Sequence, residues 1–506
     1  MSNKIKFKNK IFDKNNNTVE AQEDIISPVL DALQVLKPDD LLIIPRGTTE
    51  ITQNASYLNS SAKTIYIPST VTTIGANTFE DYEDLISVPI PGSVTTIGEY
   101  AFNNCYNLTS VSIPNSVTTI SNSAFASCSN LTNVTIGNSV TNIGEKAFDG
   151  CVDIVEAVMP TAAISSIPKD NLRTVVLTGG TTISDSAFYK CSKLTSVTIP
   201  NSVTTIGEGA FERCSNLASV TIGDSVINID KNAFSNCYSA LYKTYENGKY
   251  IGNAVNPYAV LIELTNRNMR TYTIHPDTKI IAYGVFDSCG SLTNITIPDG
   301  VRGISSYAFN NCSNLTSVTI GNSVTSIGDY AFMNCTGLTS VTIGNSVKTI
   351  GDYAFYGCNN LTSIVIPNSV IEIGTKAFSN CTCLKDVTLG NSITTINHSA
   401  FYNCDGLDNI TIPDSVITIG DLAFNNCSNL TSVTIGYSTR SIGDIAFSAC
   451  NKLTSVTFVN PNGWWCSKAQ NAENGIAISS DDLLDTTTAA QYLISDYEAY
   501  YWHRTA

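Results

Sequence analysis

The segment Cys312 to Asn334, CSNLTSVTIGNSVTSIGDYAFMN, returns along the chain at a spacing of 23 residues, and no other feature constrains the fold as tightly. Its closing aromatic sets the phase: Phe79, Phe102, Phe125 and Phe148, then Phe188, Phe211 and Phe234, then Phe286, Phe309, Phe332, Phe355, Phe378, Phe401, Phe424 and Phe447. Only the intervals Phe148 to Phe188 and Phe234 to Phe286 break the period. A period between about 20 and 50 residues marks a solenoid, because one unit cannot bury its apolar face alone and stacked neighbours make a continuous core.

Within the unit the apolar positions are Leu315, Val318, Ile320, Val324, Ile327, Ala331, Phe332 and Cys335. Leu315 to Ile320 has the form L-x-x-V-x-I, and the alternation of Val318 and Ile320 with Ser317 and Thr319 is the period of a strand with one buried face. Gly321 and Asn322 then turn the chain, as Pro114 and Asn115 or Pro413 and Asp414 do in other units. Val324 to Ile327 makes a second short extended piece. Phe332, Cys335 and Leu338 are spaced three apart, so one tight helical turn brings all three inward, and Asp329 ahead of it is placed to cap that turn.

This L-x-x-V-x-I segment with its turn resembles a leucine-rich repeat, and the 23-residue form V-T-x-I-G-x-x-A-F-x-x-C resembles the BspA-like branch, over roughly residues 40 to 460. The resemblance implies an α/β repeat: a curved leucine-rich-repeat solenoid with a parallel β-sheet on one face and short helical turns on the other. It also implies cell-surface attachment and protein binding, and it carries over no catalytic residue.

A chain of 506 residues would ordinarily divide into several domains, but a solenoid grows in one dimension and one elongated domain is the expectation. The formal net charge is −15 and no basic stripe is present, which argues against nucleic acid as a partner. No run of about 20 apolar residues reads as a membrane span, and no apolar run follows the first lysines as in a secretory leader.

Fourteen of the sixteen cysteines lie three residues after a repeat Phe, from Cys105 to Cys450. Neighbouring strands lie about 4.7–4.9 Å apart, inside the Cα range of a disulfide, about 4.4–6.8 Å, so spacing alone permits pairing. The column is nonetheless a core position, where Cys serves as a small buried hydrophobe. Cys383 and Cys466 stand outside the column and are the expected reactive thiols.

Residues 1–39 read as a Lys-rich strand or hairpin followed by a capping helix, with Ser27 as N-cap, Pro28 as first helical residue and Val29, Leu30, Leu33 and Leu36 inward. Residues 40–460 form the solenoid, whose strand-end column runs from Ile44 to Phe458. A shortened coil between Phe148 and Phe188 keeps the strand pattern in Leu172, Val175 and Leu177. Between about 238 and 268, aromatic and β-branched residues flank Asn247-Gly248, which predicts a hairpin projecting from the stack. Residues 461–506 concentrate Trp464, Trp465, Tyr492, Tyr497, Tyr500, Tyr501 and Trp502, as a cap on the last coil or as an aromatic contact surface.

Catalytic constellations are not found: His275, His398 and His503 are widely separated and read as surface, and no phosphate loop, C-x-x-C or H-E-x-x-H occurs. The acidic column Glu99, Glu145, Glu208, Asp329, Asp352, Asp421 and Asp444 reads as capping in preference to Ca²⁺ ligation. Neither metal nor cofactor is expected. The expectation is therefore a non-enzymatic binding or adhesion-type protein with a protein or glycan ligand; the alternative is a structural phage or prophage tail-associated fibre. Recognition is expected on Tyr242, Tyr245, Tyr250 and Tyr258 of the insertion, because specific interfaces rest on a few aromatic anchors. The adjacent hydroxyl face would join them through Ser317, Thr319, Ser340 and Thr342, although strand propensity alone also explains Thr and Ser there.

Overall fold

The computed structural model describes residues 11–12, 18–19, 40–55 and 58–505. Ile11–Phe12 and Thr18–Val19 pair antiparallel, as a short hairpin does. The expected capping helix lies outside the described residues. The chain divides into two compact units, one of residues 1–203 with 211–219 and the other of 204–210 with 220–506.

In the first unit the strands from Leu41–Ile43 to Ser196–Thr198 follow one another in sequence order, each parallel to the last. Their register places equivalent repeat positions side by side, as in Val134 beside Val111 and Ile136 beside Ile113. A second parallel sheet of five two-residue strands runs from Glu50–Ile51 to Asn142–Ile143. The shortened coil keeps its long strand, Thr174–Leu177 against Glu156–Met159, and replaces the rest with a 3₁₀ helix at Thr161–Ser166.

The second unit repeats this plan. Its long strands form a six-stranded sheet from Thr271–Thr273 to Asp386–Thr388 and a three-stranded one from Asn409–Thr411 to Ser455–Phe458. The short strands from Ile280–Ile281 to Ser441–Ile442 run parallel in one sheet. At the C-terminal end Tyr501–Arg504 pairs antiparallel with Ser441–Ile442, and Trp464–Ser467 pairs with Tyr501–Arg504. Trp464 and Trp502 are buried against Phe458, which covers the last coil with aromatic surface.

The segment around each repeat Phe is not helical, contrary to the expected turn of helix. The described helices are confined to short 3₁₀ pieces and to the C-terminal segment Ser480–Leu484, Thr486–Gln491 and Tyr492–Asp496. Tyr330 and Asn334 instead adopt left-handed φ of 58° and 55°. With these left-handed residues four apart, every second N–H points at the next coil: Tyr330 donates to the Asp352 carbonyl at 2.8 Å, Phe332 to Ala354 at 2.7 Å and Asn334 to Tyr356 at 2.7 Å. A helix would spend those donors within one coil; here they join coils, as the strands do. The product is a β-solenoid with little helix.

The core follows the repeat. Phe309, Phe332, Phe355 and Phe378 are fully buried and stack with centroids 4.9–5.2 Å apart and planes within 4°. Most column cysteines also donate a hydrogen bond to the preceding coil, as Cys335 Sγ does to the Phe309 carbonyl at 3.2 Å. The cysteines are thiols, with no disulfide among the described residues. Cys237 in the column is only half-buried.

Candidate binding surfaces

The insertion is a three-stranded meander, not a projecting hairpin. Lys243–Tyr245 and Gly248–Ile251 pair antiparallel, and Gly248–Ile251 then pairs with Val260–Leu264. That third strand runs parallel to Ile280–Ile281 and so joins the solenoid's short-strand sheet. Val260, Leu261 and Leu264 are buried, and without them the edge of Ile280–Ile281 would be an open row of N–H and C=O groups. Gly248 is required because a β-carbon there would meet the Tyr272 hydroxyl at 2.0 Å.

The four sequence-selected tyrosines divide by role. Tyr250 is fully buried, its hydroxyl 3.0 Å from that of Tyr272 and accepting the His275 N–H at 3.2 Å. Burial raises the pKa of both phenols, so both stay neutral and serve as hydrogen-bonded struts. Tyr242 ties the meander to the preceding coil, its hydroxyl donating to the Phe234 carbonyl at 2.6 Å. Tyr245 and Tyr258 are half-exposed and meet His275, which stacks on Tyr258 at 3.9 Å and stands edge-on to Tyr245 at 4.8 Å. Tyr245, Tyr258 and His275 thus form one partly exposed aromatic group on a fixed base.

In the sequence His275 reads as ordinary surface. What distinguishes it is the position after the strand-end Ile274, where Ile297 is followed by Pro298 and Ile320 by Gly321. An aromatic ring in place of a turn residue marks a coil whose edge packs against something else.

The hydroxyl face begins beside this group. Glu246, in the turn of the meander, accepts the Thr273 N–H at 3.3 Å, so the insertion covers the free edge of the Thr271–Thr273 strand. Ser317 and Thr319 follow two strands on, with Ser340 and Thr342 beside them in register. At one strand spacing each, these pairs lie about 10 and 15 Å from that edge. All four side chains are exposed, and none of their hydroxyls has a protein partner among the described residues. Next to Thr342 the strands pair at Ser340 and Ser363 and then separate, leaving a depression of about 600 Å³ lined by Thr342, Val365, Pro367 and Thr388. Val365 stands outward there, 62% exposed, where its neighbours carry Thr.

The acidic column does not cap helices. Asp329 Oδ1 accepts the Asp352 N–H at 2.8 Å and Asp352 Oδ1 accepts the Thr375 N–H at 2.7 Å, one rung per coil. No group of three or more His, Cys, Asp or Glu side chains among the described residues is arranged to hold a metal. Cys383 is exposed, but Cys466, expected to be reactive, is fully buried in the C-terminal sheet, which pushes its pKa up to about 11. No described helix is long and apolar enough to cross a membrane.

Stacked parallel coils in a common register, with an outward polar strand face and one aromatic insertion, define a leucine-rich-repeat-type scaffold. The model for the BspA type leucine rich repeat region matches residues 49–174, 181–255, 264–385 and 348–464, and the chain belongs to that family. Among solved structures, it is similar to a leucine-rich repeat protein from Eubacterium ventriosum, at 26% identity over 76% of this chain and 90% of that one, TM-score 0.34. A leucine-rich repeat protein from Bacteroides ovatus matches at 24% identity over 82% and 86%, TM-score 0.25. A leucine rich cell surface protein from Faecalibacterium prausnitzii matches at 25% identity over 83% and 88%, TM-score 0.24. A search of curated proteins returns no match.

Proposed function

We propose that this protein is a non-enzymatic, adhesion-type binder that recognises a protein or glycan through Tyr245, Tyr258 and His275 together with the hydroxyl face that starts beside them. The observation that carries this reading is the aromatic group itself. Coils of nearly identical sequence offer a partner little to tell one position from the next, whereas the insertion brings three rings to one place, on a base held by Tyr250 and Tyr272. Rigid aromatic side chains give contact area at low entropic cost, and a few of them dominate specific interfaces. Tyr242 and Tyr250 serve as positioning residues, while Ser317, Thr319, Ser340 and Thr342 supply unengaged hydroxyls to a partner laid across the strands. Membership of a leucine-rich repeat family, whose scaffolds are non-catalytic and bind other molecules, supports the same reading.

The test is a panel of immobilised extracellular proteins and glycans probed with the full chain and with the Tyr245→Ala/Tyr258→Ala double variant. Binding to a panel member should fall by at least about tenfold in the variant, the loss of a small hot spot. Undiminished binding by a variant that melts with the parent would contradict the assignment.

A further inference from the structure

The insertion also lines a cavity, through Gly252, Asn253, Val255, Asn256, Ala259 and Val260. Along the regular turns an Asn or Asp side chain accepts a backbone N–H from the next coil, as Asn322 Oδ1 does from Asn345 at 2.9 Å and Asp414 Oδ1 from Tyr437 at 2.7 Å. Asp224 occupies this column after Ile222-Gly223, and the next coil presents Pro276, which has no N–H to give. The rung is replaced by Arg302, whose Nη1 lies 2.8 Å from Asp224 Oδ1. The coil edges also approach unevenly. At Gly303 the Ile227 carbonyl lies where a β-carbon would stand, 1.9 Å from its ideal position, whereas at the turns the loop Gly252–Asn256 intervenes. What remains is a cavity of about 270 Å³.

Its lining is unlike the rest of this acidic chain. Lys279 and Arg302 are equivalent residues of adjacent coils and both line it, with Asp224 as the one carboxylate. Arg302 meets Asp224 through Nη1, and a guanidinium carries five N–H donors, so others are left over. Lys279 is half-buried and has no carboxylate partner among the described residues. Two cations against one anion leave an uncompensated positive charge in a partly enclosed space, where a charge-assisted hydrogen bond gains strength from the lowered dielectric. Ile222, Val255 and Ala259, which also line the cavity and are not buried, give it accessible apolar surface.

We propose that this cavity binds a small organic carboxylate, its anionic group on Lys279 and the remaining donors of Arg302 and its carbon skeleton against Ile222, Val255 and Ala259. The volume lies just below the usual range of ligand pockets, about 300–1,000 Å³, which limits the occupant to monosaccharide or amino-acid size. The site is independent of the aromatic group and stands whether or not that group recognises a partner.

Calorimetric titration of the full chain with glucuronic acid, N-acetylleucine and glucose tests this. At least one of the two acids should bind saturably while glucose does not. Lys279→Met should weaken that binding at least tenfold, and Lys279→Arg should restore it. Binding of glucuronic acid alone identifies an acidic sugar, of N-acetylleucine alone an amino-acid or peptide terminus, and of both a general carboxylate site. In the wild-type chain the bound acid should also slow reductive methylation of Lys279, a readout that needs no variant to fold. The proposal is overturned if neither acid binds, if glucose binds as tightly as glucuronic acid, or if Lys279 is methylated at the same rate with and without saturating acid.

Discussion

At the scale of single residues the Cys column shows why a thiol, and not merely a small apolar group, recurs every 23 residues. Along most of the column the buried Sγ donates to a carbonyl of the coil before it, at 3.1 Å for Cys312 and 3.2 Å for Cys381. Alanine would fill less space and leave that carbonyl without this donor. Burial raises the pKa of Cys335 and Cys358 and brings Cys404 up to about 12, so these thiols are poor nucleophiles at neutral pH. In the native protein a thiol reagent at pH 7.5 should therefore label Cys383 first, with the buried column and Cys466 reacting only after denaturation. Rapid native labelling of Cys335 or Cys466, read by peptide mass, would contradict this. That Cys383 is exposed was legible from its lying outside the repeat; that Cys466 is buried was not, because its neighbours are supplied by the distant Tyr501–Arg504 strand.

At the scale of the coil, the positions that point inward were legible and the conformation linking them was not. Val318, Ile320, Phe332, Cys335 and Leu338 are all buried, as their spacing required. A spacing of three does not distinguish a helical turn from a segment with left-handed residues four apart, however, and Tyr330, Leu422 and Ile445 give no warning that they hold positive φ. Those conformations persist because each frees an N–H for the neighbouring coil. The rung at Asp329 adds a charge to this ladder. Its pKa is raised, chiefly by desolvation, against the lowering effect of the Asp352 N–H and with a further increase from the Asp352 charge. A raised folded-state pKa means that the ionised form is disfavoured in the native protein: the contribution to stability is full below the unfolded pKa and is lost as pH rises through the folded value. Asn122 already performs the same acceptor role toward Glu145 without a charge. Asp329→Asn should accordingly stabilise the protein slightly at pH 7, by about 0.5 kcal/mol or less for a part-exposed group, with the gain vanishing in melts below about pH 3. A variant destabilised at pH 7, or equally stabilised at both pH values, would count against the uncharged-rung reading.

At the scale of the whole molecule, sequence periodicity located the coils, the shortened coil and the insertion, since a break in phase is visible without any structure. How the insertion is built was not visible. The Asn247-Gly248 signal marks a hairpin, but Val260–Leu264 becomes a solenoid strand only because Ile280–Ile281 presents an edge to pair with. His275 joins Tyr245 and Tyr258 through that same docking, and Arg302 reaches Asp224 across 78 residues. The candidate sites thus arise where the repeat fails and chain segments far apart in sequence are brought against each other. The regular coils are a scaffold coupled between nearest neighbours, and the proposed function assigns partner recognition to the insertion and the strands beside it. Amide hydrogen exchange of the full chain, with and without a saturating partner from the binding panel, measures this directly. Added protection should fall on residues 243–258, 271–275 and 317–342, with the coils beyond 400 unchanged. Protection confined to those later coils, with none at the insertion, would contradict it.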